Sequence, residues 1–215
     1  MELFVFLIVV LIFSIILHEV SHGYAAYALG DPTAKLAGRL TLNPIPHIDV
    51  IGSIVVPGLL VLTQTPFLFG WAKPVPYNPH NLSNQRWGEA LVAIAGSATN
   101  LLLALIFGLI ARFGADLGLG SAFVELSALV VFVNLFLGIF NLIPIPPLDG
   151  YTFLRAILPY RFAVPLEQFQ ARIQSMGFFG LFLILFVFLF LLAQPFFYFV
   201  YTIFSLLTGM TSIPF

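Results

Sequence analysis

The sequence has no cysteine. That removes disulfide frameworks and thiolate metal sites together and leaves His, Asp and Glu to ligate any metal. Charge is scarce too: 8% of the 215 residues are charged against 60% hydrophobic, and mean hydropathy is +1.07. Such a composition lies far outside that of soluble domains and belongs in a lipid bilayer. The formal net charge is −1, and no basic cluster or aromatic–basic alternation is present, so nucleic acid is excluded as a partner. The N-terminus lacks a basic region and a small-x-small cleavage site, and it reads as a retained helix rather than a cleaved signal peptide.

What is abundant is apolar sequence in lengths that suit a membrane, where a span needs about 20 residues. A first helix is expected over residues 3 to 29, ending at Gly30-Asp31-Pro32. In the polar stretch that follows, the alternation Leu36, Gly38, Leu40, Leu42 suggests a short strand. Residues 50 to 70 are apolar but interrupted by Gly52, Pro57-Gly58 and Pro66, and the prolines of residues 70 to 80 enforce extended backbone. A helical hairpin is expected over residues 89 to 112 and 123 to 143, running into the proline-broken element from Asn141 to Gly150. Residues 151 to 174, with Arg155, Arg161 and Arg172, read as an interfacial amphipathic segment. The last apolar block, residues 178 to 215, is long enough for two spans with Gln194-Pro195 as the break, or for one long bent helix. The expected fold is all-α: a polytopic transmembrane bundle of about five to six membrane segments with a re-entrant, extended segment. It forms one domain over residues 1–215, with a core of about 1–162 and C-terminal helices of about 176–215.

Chemistry enters with His18-Glu19-Val20-Ser21-His22. Residues i and i+4 share a helix face, so two imidazoles can address one ion, with Glu19 beside them as general base. From four His and five Glu in the chain, the pattern arises by chance in roughly one such sequence in 600. Three ionisable side chains within an apolar helix also mark a functional site facing the bundle interior. A catalytic zinc ion usually has three protein ligands. Asp31, His47, Asp49, His80, Glu89, Asp116, Glu125, Asp149 and Glu167 are the candidates for the third. Asp149 stands out because it follows a broken membrane helix, precedes Gly150 and has no other charge around it.

In these residues the chain resembles the site-2 protease family of intramembrane metalloproteases, in its compact prokaryotic form. The resemblance also rests on Gly38-Arg39-Leu40-Thr41-Leu42-Asn43-Pro44, Gly70-Trp71-Ala72-Lys73-Pro74-Val75-Pro76, Ala95-Gly96-Ser97-Ala98-Thr99-Asn100 and the Asn141 to Gly150 element. Ser97 stands where many members have proline. No PDZ or CBS domain fits in this length. The resemblance implies that His18, His22 and Asp149 bind one zinc ion and that Glu19 activates water. The expected function is hydrolysis of peptide bonds in or near transmembrane segments of substrate proteins, that is, regulated intramembrane proteolysis. The alternative is a non-proteolytic metal-binding protein or transporter.

A site shared by the first helix and Asp149 requires both at one depth, which holds only if residues 50 to 81 enter and return on the same side. Lys35, Arg39, Lys73, Arg86, Arg155, Arg161 and Arg172 then fall on the cytoplasmic side and only Arg112 opposite. This places a multi-pass protein in the cell membrane with its site toward the cytoplasm. The extended strip is expected to receive an unwound substrate as an added strand, with Trp71 and Asn78 contributing to substrate binding. Asn100 and Asn141 are candidate oxyanion donors.

Overall fold

A computed structural model describes residues 2–63 and 70–214, without the side chains of residues 61, 85, 86, 178 and 181. The interruption expected at Pro66 lies outside the described residues. The chain runs through α1 (Glu2–Ala28), α2 (Thr33–Leu36), a π-helical segment (Val50–Val55) leading into α3 (Val56–Leu62), α4 (Gln85–Phe113), α5 (Ser121–Asn141), α6 (Asp149–Ile157), α7 (Tyr160–Ser175), α8 (Phe178–Val187), a second π-helical segment (Phe188–Leu192) and α9 (Ala193–Thr208). Four helices are long and apolar enough to cross a membrane: Glu2–Ala28, Trp87–Phe113, Ser121–Asn141 and Phe182–Thr208; the apolar helix Val50–Leu60 is shorter. The all-α membrane bundle is therefore observed.

The sequence dictates how α1 docks. Its residues Ser14, His18, His22 and Ala26 recur every fourth position and are buried, so one stripe of small and polar groups faces the bundle. α4 and α5 pack closely because Gly138 carries no side chain: a Cβ there would lie 3.1 Å from Leu101 and 3.2 Å from the Ser97 carbonyl oxygen. Beyond that crossing, Phe136, Phe140, Phe188 and Phe196 interlock edge to face, with Phe140 and Phe188 centroids 5.0 Å apart. They seal α9 onto α5 together with the fully buried Val200 and Phe204.

One expectation is corrected, and one open alternative is decided. Residues 36 to 42 form no strand, and there is none among the described residues. Thr33–Leu36 closes a helical turn, and Gly38 takes a φ of +65°, which reverses the chain before any ladder starts. Of the two possibilities for the C-terminal block, the structure has the single long helix, with one segment, Phe182–Thr208, long and apolar enough to cross a membrane. Pro195 lacks the N–H that would meet the carbonyl four residues earlier. The π turn at Phe188–Leu192 absorbs the mismatch, and helix resumes at once until Gly209, in the left-handed conformation, donates its N–H to Ser205.

The return of the chain after α3 is explicit in its hydrogen bonds. Trp71 N–H donates to the Gly52 carbonyl at 3.1 Å and Lys73 N–H to the His47 carbonyl at 2.9 Å. The extended strip thus comes back beside the residues from which the excursion left. It then crosses α1, where Val75 N–H donates to Glu19 Oε2 at 2.8 Å, and ends at Asp31. Asp31 is fully buried and accepts from Thr33 N and Oγ1, Asn78 N and Asn81 Nδ2. Burial alone would raise its pKa, but these donors outweigh it and hold the carboxyl below its ordinary value.

This clasp is expected to govern docking of the strip. Asp31→Ala strands several buried donors and should lower thermal stability by about 2 kcal/mol or more, with faster proteolysis around residues 70 to 84. A depressed pKa means that the clasp is complete above about pH 4 and is lost as pH falls through the lowered value. Wild type should therefore loosen in acid, whereas Asp31→Asn should show no such step.

Candidate metal centre

Both imidazoles emerge from the buried stripe of α1, and α4 runs antiparallel against it. His22 Nδ1 donates to the Val92 carbonyl at 2.7 Å, and His18 Nδ1 donates to Asn100 Oδ1 at 2.6 Å. The direction of the second bond is fixed by its surroundings. Asn100 Nδ2 donates to Asn134 Oδ1 at 2.9 Å and to the Ser14 carbonyl at 3.3 Å. Asn134 Nδ2 in turn donates to Ser14 Oγ and the Val130 carbonyl. Carbonyl oxygens only accept, so each amide has one permitted orientation and Asn100 presents its oxygen to His18. In their neutral form both histidines then carry the proton on Nδ1 and expose an Nε2 lone pair.

The third group arrives from another element. α5 ends at Asn141, and the chain turns through residues 142 to 148 before Asp149 opens α6. Gly150 packs directly on the Leu142 carbonyl, where any Cβ would collide with backbone. This contact sets Asp149 against the histidines: Oδ2 lies 3.0 Å from His18 Nε2 and 3.2 Å from His22 Nε2, while the two Nε2 atoms are 3.1 Å apart. Asp149 Oδ2 is buried without a hydrogen-bond partner among the described residues. With both Nδ1 atoms protonated, neutral imidazoles turn two Nε2 lone pairs toward the Asp149 carboxylate, an arrangement that a cation can bridge. Two imidazole nitrogens and one carboxylate oxygen form a donor set of catalytic zinc. Among the described residues this is the one such group of His, Asp and Glu.

Gly96 closes the site from the α4 side. A Cβ there would fall 2.5 Å from His22 Nε2 and 2.7 Å from His18 Nε2, so the absent side chain leaves the space that the imidazoles address. Glu19, one residue from His18, has Oε2 held by Val75 N–H.

The other residues singled out from sequence sit differently. Asn100 is fully buried, and its amide hydrogens point to Asn134 and Ser14. Asn141 Nδ2 donates to the Leu137 carbonyl at 3.0 Å. Asn78 Oδ1 accepts from His80 N at 3.1 Å, and Trp71 packs its indole over Gly52. Of the rival third ligands, Asp49 caps Gly52 N, His47 Nε2 donates to the Thr41 carbonyl, and Glu89 and Glu167 face Arg155. Sequence reading passed over Asn134 and Ser14. An asparagine within an apolar span was signal enough for Asn134, because such a side chain is costly in lipid without partners; Ser14 carried none.

Outer partners of ligating histidines set metal affinity, so Asn100→Ala should weaken zinc binding about 10- to 100-fold with helicity retained. Gly96→Ala should weaken it at least as much, because its methyl group occupies the space between the imidazoles. Competition titration with a zinc chelator on the purified chain measures both.

Comparisons with known proteins agree with this chemistry. The profile described as Peptidase family M50 matches residues 118–187. A relative named "Putative zinc metalloprotease YwhC", from Bacillus subtilis, is 39% identical over 193 residues, 87% of this chain and 82% of the relative. "Putative zinc metalloprotease Rip2" of Mycolicibacterium smegmatis is 31% identical over 156 residues, covering 69% of this chain and 55% of the relative. "Zinc metalloprotease MJ0392" of Methanocaldococcus jannaschii is 26% identical over 156 residues, 73% of this chain and 35% of that protein. No solved structure matches the chain. With a buried pair of histidines facing a carboxylate in a membrane bundle and a relative this similar along most of both lengths, the chain belongs to peptidase family M50, the site-2 protease family of zinc metalloproteases.

Proposed function

We propose that the protein cleaves peptide bonds in or beside transmembrane segments of other membrane proteins, with His18, His22 and Asp149 holding one zinc ion and Glu19 as the catalytic base. The observation that carries this reading is the meeting of His18 Nε2, His22 Nε2 and Asp149 Oδ2 within 3.0 to 3.2 Å, at a point on α1 well inside its apolar length. When bound, zinc supplies Lewis-acid polarisation of the scissile carbonyl and lowers the pKa of water.

The chain's own residues supply the rest. Val75 N–H fixes Glu19 through Oε2, which leaves Oε1 to take the proton of the attacking water and deliver it to the leaving amine. A scissile bond inside a helix is shielded by its own turns, so substrate must unwind. The strip offers an extended template beside Glu19. On it Lys73 and Val75 commit their N–H groups to His47 and Glu19, and Pro74 and Pro76 have none to give. An added substrate strand would therefore bond to the carbonyls of the strip. Trp71 and Asn78 serve this role by fixing the ends of the strip against Gly52 and Asp31. Asn100 is assigned to orientation of His18, and Asn141, with one amide hydrogen beyond its bond to Leu137, is the side-chain candidate that remains for the oxyanion.

The site faces the cytoplasm in this reading. Lys35, Arg39 and Lys73 belong to the segments around the strip, whereas Arg112 lies at the far end of α4, bonded to the Leu206 carbonyl.

Reconstituted chain and a model transmembrane substrate test the proposal. Glu19→Gln should retain one zinc per chain and lose cleavage by about 10²-fold or more, with wild-type cut sites mapping by mass spectrometry in or beside the membrane segment. Equal turnover in Glu19→Gln, or cuts confined to distant soluble loops, would contradict it.

A further inference from the structure

Asp149 is the ligand that comes from outside α1, and its geometry depends on how α6 is held. α6 is nine residues long, with Asp149 in its first turn and Arg155 in its last. Arg155 Nη2 donates to Glu89 Oε1 on α4, and Arg155 Nη1 lies 3.6 Å from Glu167 Oε1 on α7. The two members of the inner pair are mostly withdrawn from solvent, at 22% and 17% side-chain exposure, whereas Glu167 is 53% exposed. Neither Glu89 nor Arg155 has a part in the chemistry above. An ionisable group at the start of an otherwise apolar spanning helix nevertheless calls for a function.

The register of α4 supplies one. Glu89, Val92, Gly96 and Asn100 follow at helical spacing along one face. On that face Val92 accepts from His22, Gly96 abuts both imidazoles and Asn100 accepts from His18. The Arg155–Glu89 pair attaches α6 to this same face, one turn before the His22 acceptor. α4 is thus the common reference for ligands contributed by two different helices.

We propose that Arg155, through Glu89, is a positioning residue for the metal site: the ion pair locks α6 onto the histidine-bearing face of α4 and thereby holds Asp149 Oδ2 at ligating distance. The proposal rests on the reading of Asp149 as a zinc ligand. The Gly150–Leu142 contact and the Tyr151 hydroxyl, which donates to the Leu166 carbonyl at 2.7 Å, fix α6 against α5 and α7. Against α4, along which α6 also packs, the ion pair is the charged tie that sets its position.

Zinc affinity of the full chain in lipid nanodiscs, measured by chelator competition, tests this, with circular dichroism reporting the fold. Arg155→Gln and Glu89→Gln should each weaken zinc binding about tenfold, in the range seen for outer partners of metal ligands. The double variant, which leaves no unpaired buried charge, should fold and lose no more than either single one. Arg155→Lys should recover part of the affinity, and Glu167→Gln should change it little. Wild-type affinity in the double variant, or losses that simply add, would overturn the proposal. Asp149→Ala separates the two layers. If it leaves affinity unchanged, the ligand assignment itself fails; if it weakens zinc while the Arg155 and Glu89 variants do not, only the positioning role fails.

Discussion

Three ligand-type atoms, His18 Nε2, His22 Nε2 and Asp149 Oδ2, are held within 3.0 to 3.2 Å of one another, and the rest of the structure is organised around keeping them there. Left alone, such a group repels itself and draws water. Here it is enclosed by α1, α4 and α6, and each histidine has its other nitrogen engaged by an oxygen on α4. The fold thus holds in advance an arrangement suited to a cation, with each histidine oriented from behind as a metal ligand is.

The cost of that arrangement explains the polar network behind it. A buried amide or hydroxyl without a partner costs on the order of 2–7 kcal/mol against water, and a lipid-embedded bundle has little water to offer. Ser14, Asn100 and Asn134 avoid the cost by satisfying one another in a single continuous chain that ends on the Val130 and Ser14 carbonyls. Removing any link strands the next. The same economy appears at Asp31, whose buried carboxylate takes donors from both ends of the loop it closes. Hydrogen-bonded support is thus present both in the helix interior at Asn134 and along the strip at Asn78, and Glu19 is tied to the strip through Val75 N–H.

Much of this was legible in the sequence, for physical reasons that also mark the limits. His18, Glu19 and His22 were readable because helix geometry converts a spacing of four into a shared face. The return of residues 50 to 81 followed from parity, since a site shared by α1 and Asp149 cannot straddle the bilayer. Asp149 came into focus through resemblance rather than spacing, because the turn that delivers it depends on Gly150 meeting the Leu142 carbonyl, a contact with no periodic signature. The strand expected near Leu40 failed because alternation alone does not supply a partner strand. The number of C-terminal spans stayed open in the sequence because Pro195 reads as a break, whereas a π turn accommodates it without ending the helix. The Arg155–Glu89 pair joins residues 66 apart in sequence, and only the folded chain brings them together.

X-ray absorption at the zinc edge of the purified full chain, wild type beside Asp149→Ala, reports most directly on the convergence of these three atoms. The account predicts a light-atom shell at about 2.0–2.1 Å with the multiple-scattering signature of two imidazoles, and loss of one oxygen contribution together with weaker binding in Asp149→Ala. An identical shell and affinity in the two proteins would contradict it.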